Sequence, residues 1–507
     1  MSAAVSPQGG PAQGILRLPG RFGRVPPRHA GQALVLGLLL IAAAGVAWTH
    51  LHNVGHAASA RARLLHAADA AAYSGALLQA RAFNMHAYVN RAQVAHQVAM
   101  AHLATLGSWA QWGAAQARQS ARGNPPAALM GMLFGPDYGA SYSASRAAAG
   151  LDADTRDGGA LAQAFARHER TVHDVLAAAR DALTASLPAA REAGMRAVLA
   201  ANFRGRGGVA ATSASAPAVA PAVAPDDEAV LRGAGLRMAL RQDTLPGTLA
   251  LHRVQQGAGL RGLVDAAAGR YRFLDPRRGT ARNPWPVSTR CPHLRHELRR
   301  LGGTRLSADG LWQSGDTLSF HALRSNRWIG CYYREYPMGW GLQHARGAAP
   351  SGYGHAVPPP ADFSAQDFWR WVRANTGWDL FGGGANPLAD SHALAGAARW
   401  PSRGLPGYAD LSAGAPAAVG IALTLSQDAA RLATSDADGR VRLGPGGFAF
   451  SAWRPGDTMT VSSAAQTYFA RPEPRADGRE ELASLFHPYW QARLAPAAGM
   501  DSVREGS

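Results

Sequence analysis

The chain has 507 residues, 47% of them hydrophobic, which at about 150 residues per domain allows two to four folded units with a sizeable core. Its formal charge of +17 comes entirely from arginine, because no lysine occurs, and that excludes every lysine-dependent mechanism. Nucleic acid is not an expected partner, since no helix-turn-helix, zinc-finger or RNA-recognition pattern accompanies the arginines.

Residues 1–30 are rich in Gly, Pro and Arg and read as a short disordered basic tail. From Ala33 to Leu51 the only polar or titratable side chains are Thr49 and His50. A helix over 31–51 therefore has the length to cross most of a hydrocarbon core roughly 30 Å thick. Arg17, Arg21, Arg24 and Arg28 precede this run and Arg61 and Arg63 follow it, an asymmetry that keeps the N-terminus cytoplasmic and translocates the rest. A cleaved signal peptide is the competing reading, with Gly45-Val46-Ala47 or Ala58-Ser59-Ala60 as the small-residue cleavage site.

Over 52–204 two helical stretches are predicted. In the first, Ala67, Ala71, Ser74, Leu78, Ala82, Met85, Val89, Ala92, Ala95, Ala99, Leu103, Leu106 and Ala110 recur at helical steps, with no Pro before Pro125. In the second, Asp157 to Phe203, Leu161, Phe165, Val172, Leu176 and Leu183 recur, and Pro188 is expected to kink or break the helix. The two predict a long helical hairpin or bundle. Small side chains at Ala67, Ala71, Ser74 and Ala82, with Leu78 on the same stripe, make that face the predicted helix-packing interface. Asn84 and Asn90 punctuate the stripe and are expected to face solvent or to cap an interhelical contact.

Residues 205–230 read as a Pro/Ala-rich linker, and the period then changes from 3.6 to 2 over a β-rich domain, 231–500. Leu318, Phe320 and Ala322 alternate with polar neighbours, Arg324-Ser325-Asn326 offers a turn, and Trp328 to Tyr333 gives the returning strand. Val419 to Leu425, Phe448 to Ala452 and Met459-Val461 alternate likewise. Two segments, Trp312 to Ser319 and Trp453 to Thr460, share W-x-x-G-D-T, in which Gly-Asp is expected to turn into a strand. A loop over Gly347 to Ala361 and a short helix near Asp367 to Ala374 complete an α+β reading. Twelve Arg against Asp265, Asp275 and Glu297 make Arg253–Arg305 a basic region that suits anionic lipid, an acidic partner or plain solvation. Cys291 and Cys331 either pair across about 40 residues in an oxidising compartment or sit as two buried thiols.

Little in the sequence indicates catalysis. His168-Glu169 and His173 form H-E-x-x-x-H, one residue longer than the zinc-protease spacing, which on an α-helix separates the imidazoles by about 140°. His52 and His56 lie at i, i+4 where the helix leaves the bilayer and read as interfacial anchors. Cys291, His293 and His296 lack a fourth zinc ligand. Asp436-Ala437-Asp438-Gly439 begins like a calcium loop but has Gly447 where a bidentate Glu is needed. Neither a G-x-S-x-G elbow nor a phosphate loop occurs, so the chain is not expected to be an enzyme or to hold a metal or cofactor. Aromatics cluster at Trp328, Tyr332, Tyr333, Tyr336 and Trp340, and at Phe486, Tyr489 and Trp490, as core or as recognition surface.

The segment R-H-A-G-Q-A, an apolar run and then A-R-L-L-H-A-A-D-A-A-A-Y-S-G-A, Ala62 to Ala76, resembles the N-terminal module of the TadE/TadG-like proteins of Flp (Tad) pilus assembly. The resemblance covers residues 31–76. It implies an inner-membrane-anchored structural component of tight-adherence machinery, periplasmic in bulk, that works through contacts with other pilus or secretion subunits. Prepilin-like members are cut after a Gly and carry a Glu five residues on; here Gly31 is followed at that place by Leu36, which favours the unprocessed, TadG-like form. A minor pseudopilin and a membrane-tethered periplasmic hydrolase without a local motif are the alternative readings.

Overall fold

The structure is a computed structural model and describes residues 30–204, 225–252, 258–326, 330–344, 398–412, 418–432 and 456–496. It mixes helix and sheet and divides into two compact units. The smaller comprises Met1–Arg63 and Asp428–Met459, the larger Leu64–Gln427 and Thr460–Ser507. A single helix, α1 (Ala30–Arg122), supplies the start of both, 93 residues dominated by alanine and free of proline. It is long and apolar enough to cross a membrane: an 18-residue window has a mean hydropathy of 2.1, and none of that window is buried.

In the larger unit α1 is followed by α2 (Ala127–Phe134), α3 (Pro136–Ala144), α4 (Ala160–Arg170) and α5 (Ala177–Phe203). Proline at the first position of α3 removes an N–H that would have no partner there. Pro188 does not break the second helical stretch: it lies inside α5, and the irregularity falls at a π-helical turn, Thr171–Leu176, between α4 and α5. α5 runs antiparallel to α1, since a Cβ at Gly75 would meet Met195 Sδ at 2.7 Å and Thr184 meets His86 at 3.4 Å. One more cross-contact, His96 to His168 at 2.7 Å, continues the pairing into α4.

Residues 225–230, read as linker, begin α6 (Pro225–Gly233), with Asp226, Asp227 and Glu228 in its first turn, where the helix dipole favours acids. Then come β1 (Leu236–Asp243), β2 (Leu249–His252), α7 (Ala258–Ala268), β3 (Gly279–Arg282), β4 (Glu297–Leu306), β5 (Trp312–Asn326) and β6 (Gly330–His344). β7 (Ala398–Arg399), β8 (Tyr408–Leu411), β9 (Ala418–Asp428), β10 (Thr458–Phe469) and β11 (Trp490–Ala495) complete the order. The strands form three sheets, β1-β9-β10-β11, β2-β8 and β3-β4-β5-β6-β7.

Arg324-Ser325-Asn326 is strand rather than turn, because β5 pairs with β6 as far as Asn326↔Gly330. The first W-x-x-G-D-T segment is likewise all strand: β5 begins at Trp312, and the reversal before it is made at Gly310, at φ +75. There Gly315 and Asp316 lie opposite Gly303 and Gly302 in the ladder, and it is Gly302 that serves close approach, since a Cβ on it would strike the Asp316 carboxylate. Of the second segment, Gly456 does turn, at φ +92, into β10, while Trp453 to Pro455 lie outside the described residues. The tail 1–29, the Gly347 to Ala361 loop, the Asp367 to Ala374 helix and the Phe448 to Ala452 alternation also lie outside them.

Helix and sheets share their cores. Phe83 of α1 packs edge-to-face on Trp490 at 4.9 Å, and Met100 joins Phe165, Leu260, Trp312 and Trp400 in another cluster. β6 crosses α1 at Gly339 and Gly341, where a Cβ on Gly341 would fall on the backbone carbonyl of Ser108 and lie 2.6 Å from Trp112 N. Neither neighbour can yield, both being backbone. Gly341→Ala is therefore expected to lower the unfolding free energy of the detergent-solubilised chain by about 1–3 kcal/mol or more. Gly262→Ala, in α7 with open space around it, should leave thermal unfolding unchanged or slightly raised.

Candidate functional site

The feature that organises the larger unit is a seam of polar side chains buried along α1: Gln79, His86, Asn90, Gln93, Gln97, Thr105, Ser108 and Gln111. Their spacing averages near the 3.5 residues of a heptad, so they keep to one side of the helix. All but His86, which meets Thr184 of α5, reach the backbone or a polar side chain of a strand or extended segment. Asn90 Nδ2 donates to Ala409 O at 2.8 Å and to Leu485 O at 2.7 Å. Gln93 Nε2 donates to Gly407 O at 3.2 Å, and Gln97 Nε2 donates to Gly404 O at 3.4 Å while its Oε1 accepts from Trp312 Nε1 at 3.0 Å. Further along, Leu342 N–H donates to Gln111 Oε1 at 3.2 Å.

Thus the irregular segment 400–411, whose carbonyls could not be buried unpaired, is matched one side chain per helical turn. Asn84, half-buried beside the seam, both donates to Trp490 O and accepts from Trp490 N at 2.9 Å. Neither Asn84 nor Asn90 faces solvent: a strand and a loop, not a second helix, are their partners.

The other side of segment 400–411 is held by the end of α4 and the π turn that follows it. Glu169 Oε1 accepts from Ser402 Oγ at 2.5 Å, its Oε2 accepts from Arg403 N at 3.2 Å, and His173 Nε2 lies 3.0 Å from Gly404 O. Of H-E-x-x-x-H, His168 goes to His96, while Glu169 and His173 lie 3.6 Å apart and close together on Ser402, Arg403 and Gly404. Beside them, a notch of about 170 Å³ is lined by Asp157, Gln163, Phe165 and Trp400 among others.

Toward the helix end, the fully buried Asp316 of β5 accepts from Ser108 Oγ at 2.7 Å and from Arg277 Nε and Nη2 at 2.7 and 2.8 Å. Thr105 meets Thr304 at 2.7 Å beside it. Such a pair loses heavily if either partner is removed, because the other charge stays buried. Of the basic region, Arg277 is spent on Asp316, Arg282 and Arg299 hold Glu297 at 2.8 and 2.5 Å, and Arg300 lies 4.8 Å over the Trp112 ring.

The predicted packing face is occupied by the chain itself. Ala67, Ala71 and Ala82 are buried and Ser74 and Leu78 half-buried, with α5 and the first sheet against them. Leu78 sits where a Cβ of Gly194 would be, Ser463 Oγ donates to Asp69 Oδ1 at 2.6 Å, and Thr467 Oγ1 donates to Ala76 O at 2.8 Å. Small side chains admit a close neighbour, and here that neighbour is intramolecular, so this face is not open to another subunit.

Cys291 and Cys331 form a disulfide with Cα atoms 6.1 Å apart, tying the β3–β4 connection to β6 and removing Cys291 as a metal ligand. His296 Nδ1 accepts from Leu323 N at 2.9 Å. His52 and His56 meet edge-to-face within α1 at 4.3 Å, and among the described residues no three His, Cys, Asp or Glu gather as a metal site. Asp436 to Gly439 and Trp328 lie outside the described residues; Tyr333, Phe486 and Trp490 are core.

Sequence reasoning missed the amide seam and the Asp316–Arg277 pair. The seam had a signal, carboxamides at helical steps in an alanine-rich helix, while the pair joins residues 39 apart with no local pattern. No family model, no curated protein and no solved structure matches this chain.

Two outcomes follow from the seam. Asn90→Leu keeps the volume but leaves two buried carbonyls without a donor, and should cost about 2–4 kcal/mol by denaturant unfolding. Burial, and then the Arg180 charge, hold His86 down at about 4 against an ordinary 6.5, and burial with Arg324 does the same to His296. The unfolded chain then binds protons that the folded chain refuses, so stability is full above pH 6.5 and falls as pH drops toward 4. The limiting slope for His86 is about 1.4 kcal/mol per pH unit. Thermal midpoints taken between pH 7 and 4.5 should decline, and His86→Gln should flatten the decline.

Proposed function

We propose that this chain is a membrane-anchored structural component of a Flp (Tad) type pilus or secretion system, close in kind to the TadG-like proteins. The observation that carries the reading is the composition of α1. One helix supplies an apolar, unburied stretch long enough to span a bilayer and then, from Leu64 onward, the buried spine of a large folded unit. The resembling segment, residues 31–76, covers the passage from one to the other.

The arginine asymmetry around the span and the disulfide Cys291–Cys331 support an inner-membrane protein with its bulk in the oxidising periplasm. Leu36 in place of an acidic residue favours the unprocessed form over a pseudopilin. A hydrolase would need a reachable nucleophile beside a base. Ser319 Oγ and His321 Nε2 do lie 2.8 Å apart on β5, but both are fully buried. Ser402 is bound to Glu169 rather than to an imidazole. Work through protein contacts fits these facts better than chemistry.

Since the alanine face is covered, contacts with other subunits fall to exposed positions of α1 such as Met85 and Tyr88, 53% and 58% exposed. A photo-crosslinking residue at Tyr88 should capture other envelope subunits in cells, and the same residue at Ala71 should not. Deletion of the chain should abolish surface pili, restored by the full-length protein retaining residues 1–31 by intact mass. Normal pili in the deletion strain would refute the assignment.

A further inference from the structure

β3 is the outer strand of the five-stranded sheet, bonded on one side only, to β4. Arg277 N–H donates to Gly302 O at 2.9 Å and Asn283 N–H donates to His296 O at 3.2 Å, with Gly279↔Arg300 and Ala281↔Leu298 as the pairs between. In an antiparallel pair the bonded residues alternate with residues whose N–H and C=O both point away. Those residues are Arg278, Thr280 and Arg282, and all three are exposed. They present an open row of backbone donors and acceptors to solvent.

The charge along this edge has one sign. Side chains of Arg278, Thr280 and Arg282 share a sheet face with Arg299 and Glu297, which lie opposite Thr280 and Arg282. Glu297 is buried and held by both Arg282, at 2.8 Å, and Arg299, at 2.5 Å, so two cations share one carboxylate. Arg272 and Arg290 are exposed in the flanking connections, against Asp275. A second copy of the same edge would bring arginine against arginine, which costs free energy when like charges lie directly opposite. Charged residues on an edge ordinarily keep strands apart, yet the same charges select a strand of opposite sign.

We propose that the β3 edge is a docking site for an extended acidic segment of another protein, added as a sixth strand along 278–282, with carboxylates on alternate residues facing Arg278 and Arg282. Backbone bonds at Arg278, Thr280 and Arg282 give the register, and the arginines give the choice of partner. This surface rests on strand geometry and charge and is independent of the pilus reading.

The test uses the detergent-solubilised full chain and a fluorescein-labelled peptide of alternating Glu and Thr, ten residues long, read by fluorescence anisotropy. Saturable binding is expected, weakened at least tenfold by N-methylation of alternate peptide residues and severalfold by Arg278→Gln. Thr280→Pro removes an outward N–H without touching the β4 ladder, and should weaken binding tenfold at an unchanged unfolding midpoint. Failure to bind, or equal binding of the N-methylated peptide by the unaltered protein, overturns the proposal, the latter by showing attraction through charge alone. Binding to phosphatidylglycerol vesicles but not to the peptide also overturns it, in favour of a lipid surface.

Discussion

The larger unit depends on carboxamide side chains of α1 standing in for backbone. A buried carbonyl without a donor costs roughly as much as several ordinary hydrogen bonds contribute, so an irregular segment such as 400–411 can enter a core only if something supplies N–H groups in register with it. Asn90, Gln93 and Gln97 do so from successive turns of one helix, with Ala101 and Ala104 below them small enough to let the sheets close in. Helix and strand are mutually conditional here. The strands lose their hydrogen-bond partners without the helix, and the helix would expose a row of desolvated amides without the strands. A helical part and a β part joined by a linker would not describe this arrangement, because the first sheet, segment 400–411 and the five-stranded sheet each reach α1 in turn.

Charge follows the same inward logic. A chain with an arginine surplus would be expected to spread it over its surface, and some of it is there. Yet Arg191 lies buried on Gln79 and Asp243 and Arg180 on Gly407 O, and half-buried Arg277 grips the buried Asp316 with both arms of its guanidinium fork. Pairs of this kind add little net stability compared with a hydrophobic isostere, but they penalise every arrangement in which the partners are apart. Asp316 also accepts from Ser108, so the same buried carboxylate ties β5 both to Arg277 and to α1.

Periodicity made the helices visible and hid what they face. The stripe through Ala67, Ala71 and Ala82 repeats because it is buried, but repetition does not say whether the covering surface belongs to the same chain or another, and here it is the same chain. Pro188 looked like a break because a mid-helix proline removes one hydrogen bond, yet α5 continues through it with Leu187 and Arg191 buried on either side. The Gly-Asp of the first W-x-x-G-D-T looked like a turn because turn chemistry is local, whereas its glycine sits in the ladder opposite Gly303 and its aspartate answers to an arginine far away. The alternation through Leu318, Phe320 and Ala322 was legible for the reason that it reports one half-buried face and nothing else. The candidate site was legible in proportion to how local it is: the cysteines by their number, the seam only by amides spaced on a helix, and the Asp316 pair not at all.

The composition of α1 changes with what each stretch is suited to: the first is long and apolar enough to cross a membrane, the second is buried in the larger unit. Between Ala33 and Leu51 there is no carboxamide, and a helix that crosses lipid gains nothing from one, since its own backbone is satisfied internally and an amide facing hydrocarbon is costly. From Gln79 onward carboxamides recur on one side, because there the helix meets other backbones that cannot satisfy themselves. Where β6 crosses at Gly339 and Gly341 it is the strand that is bare, since Trp112, Gln111 and Gln116 stand on the helix side. One helix thus carries two codes.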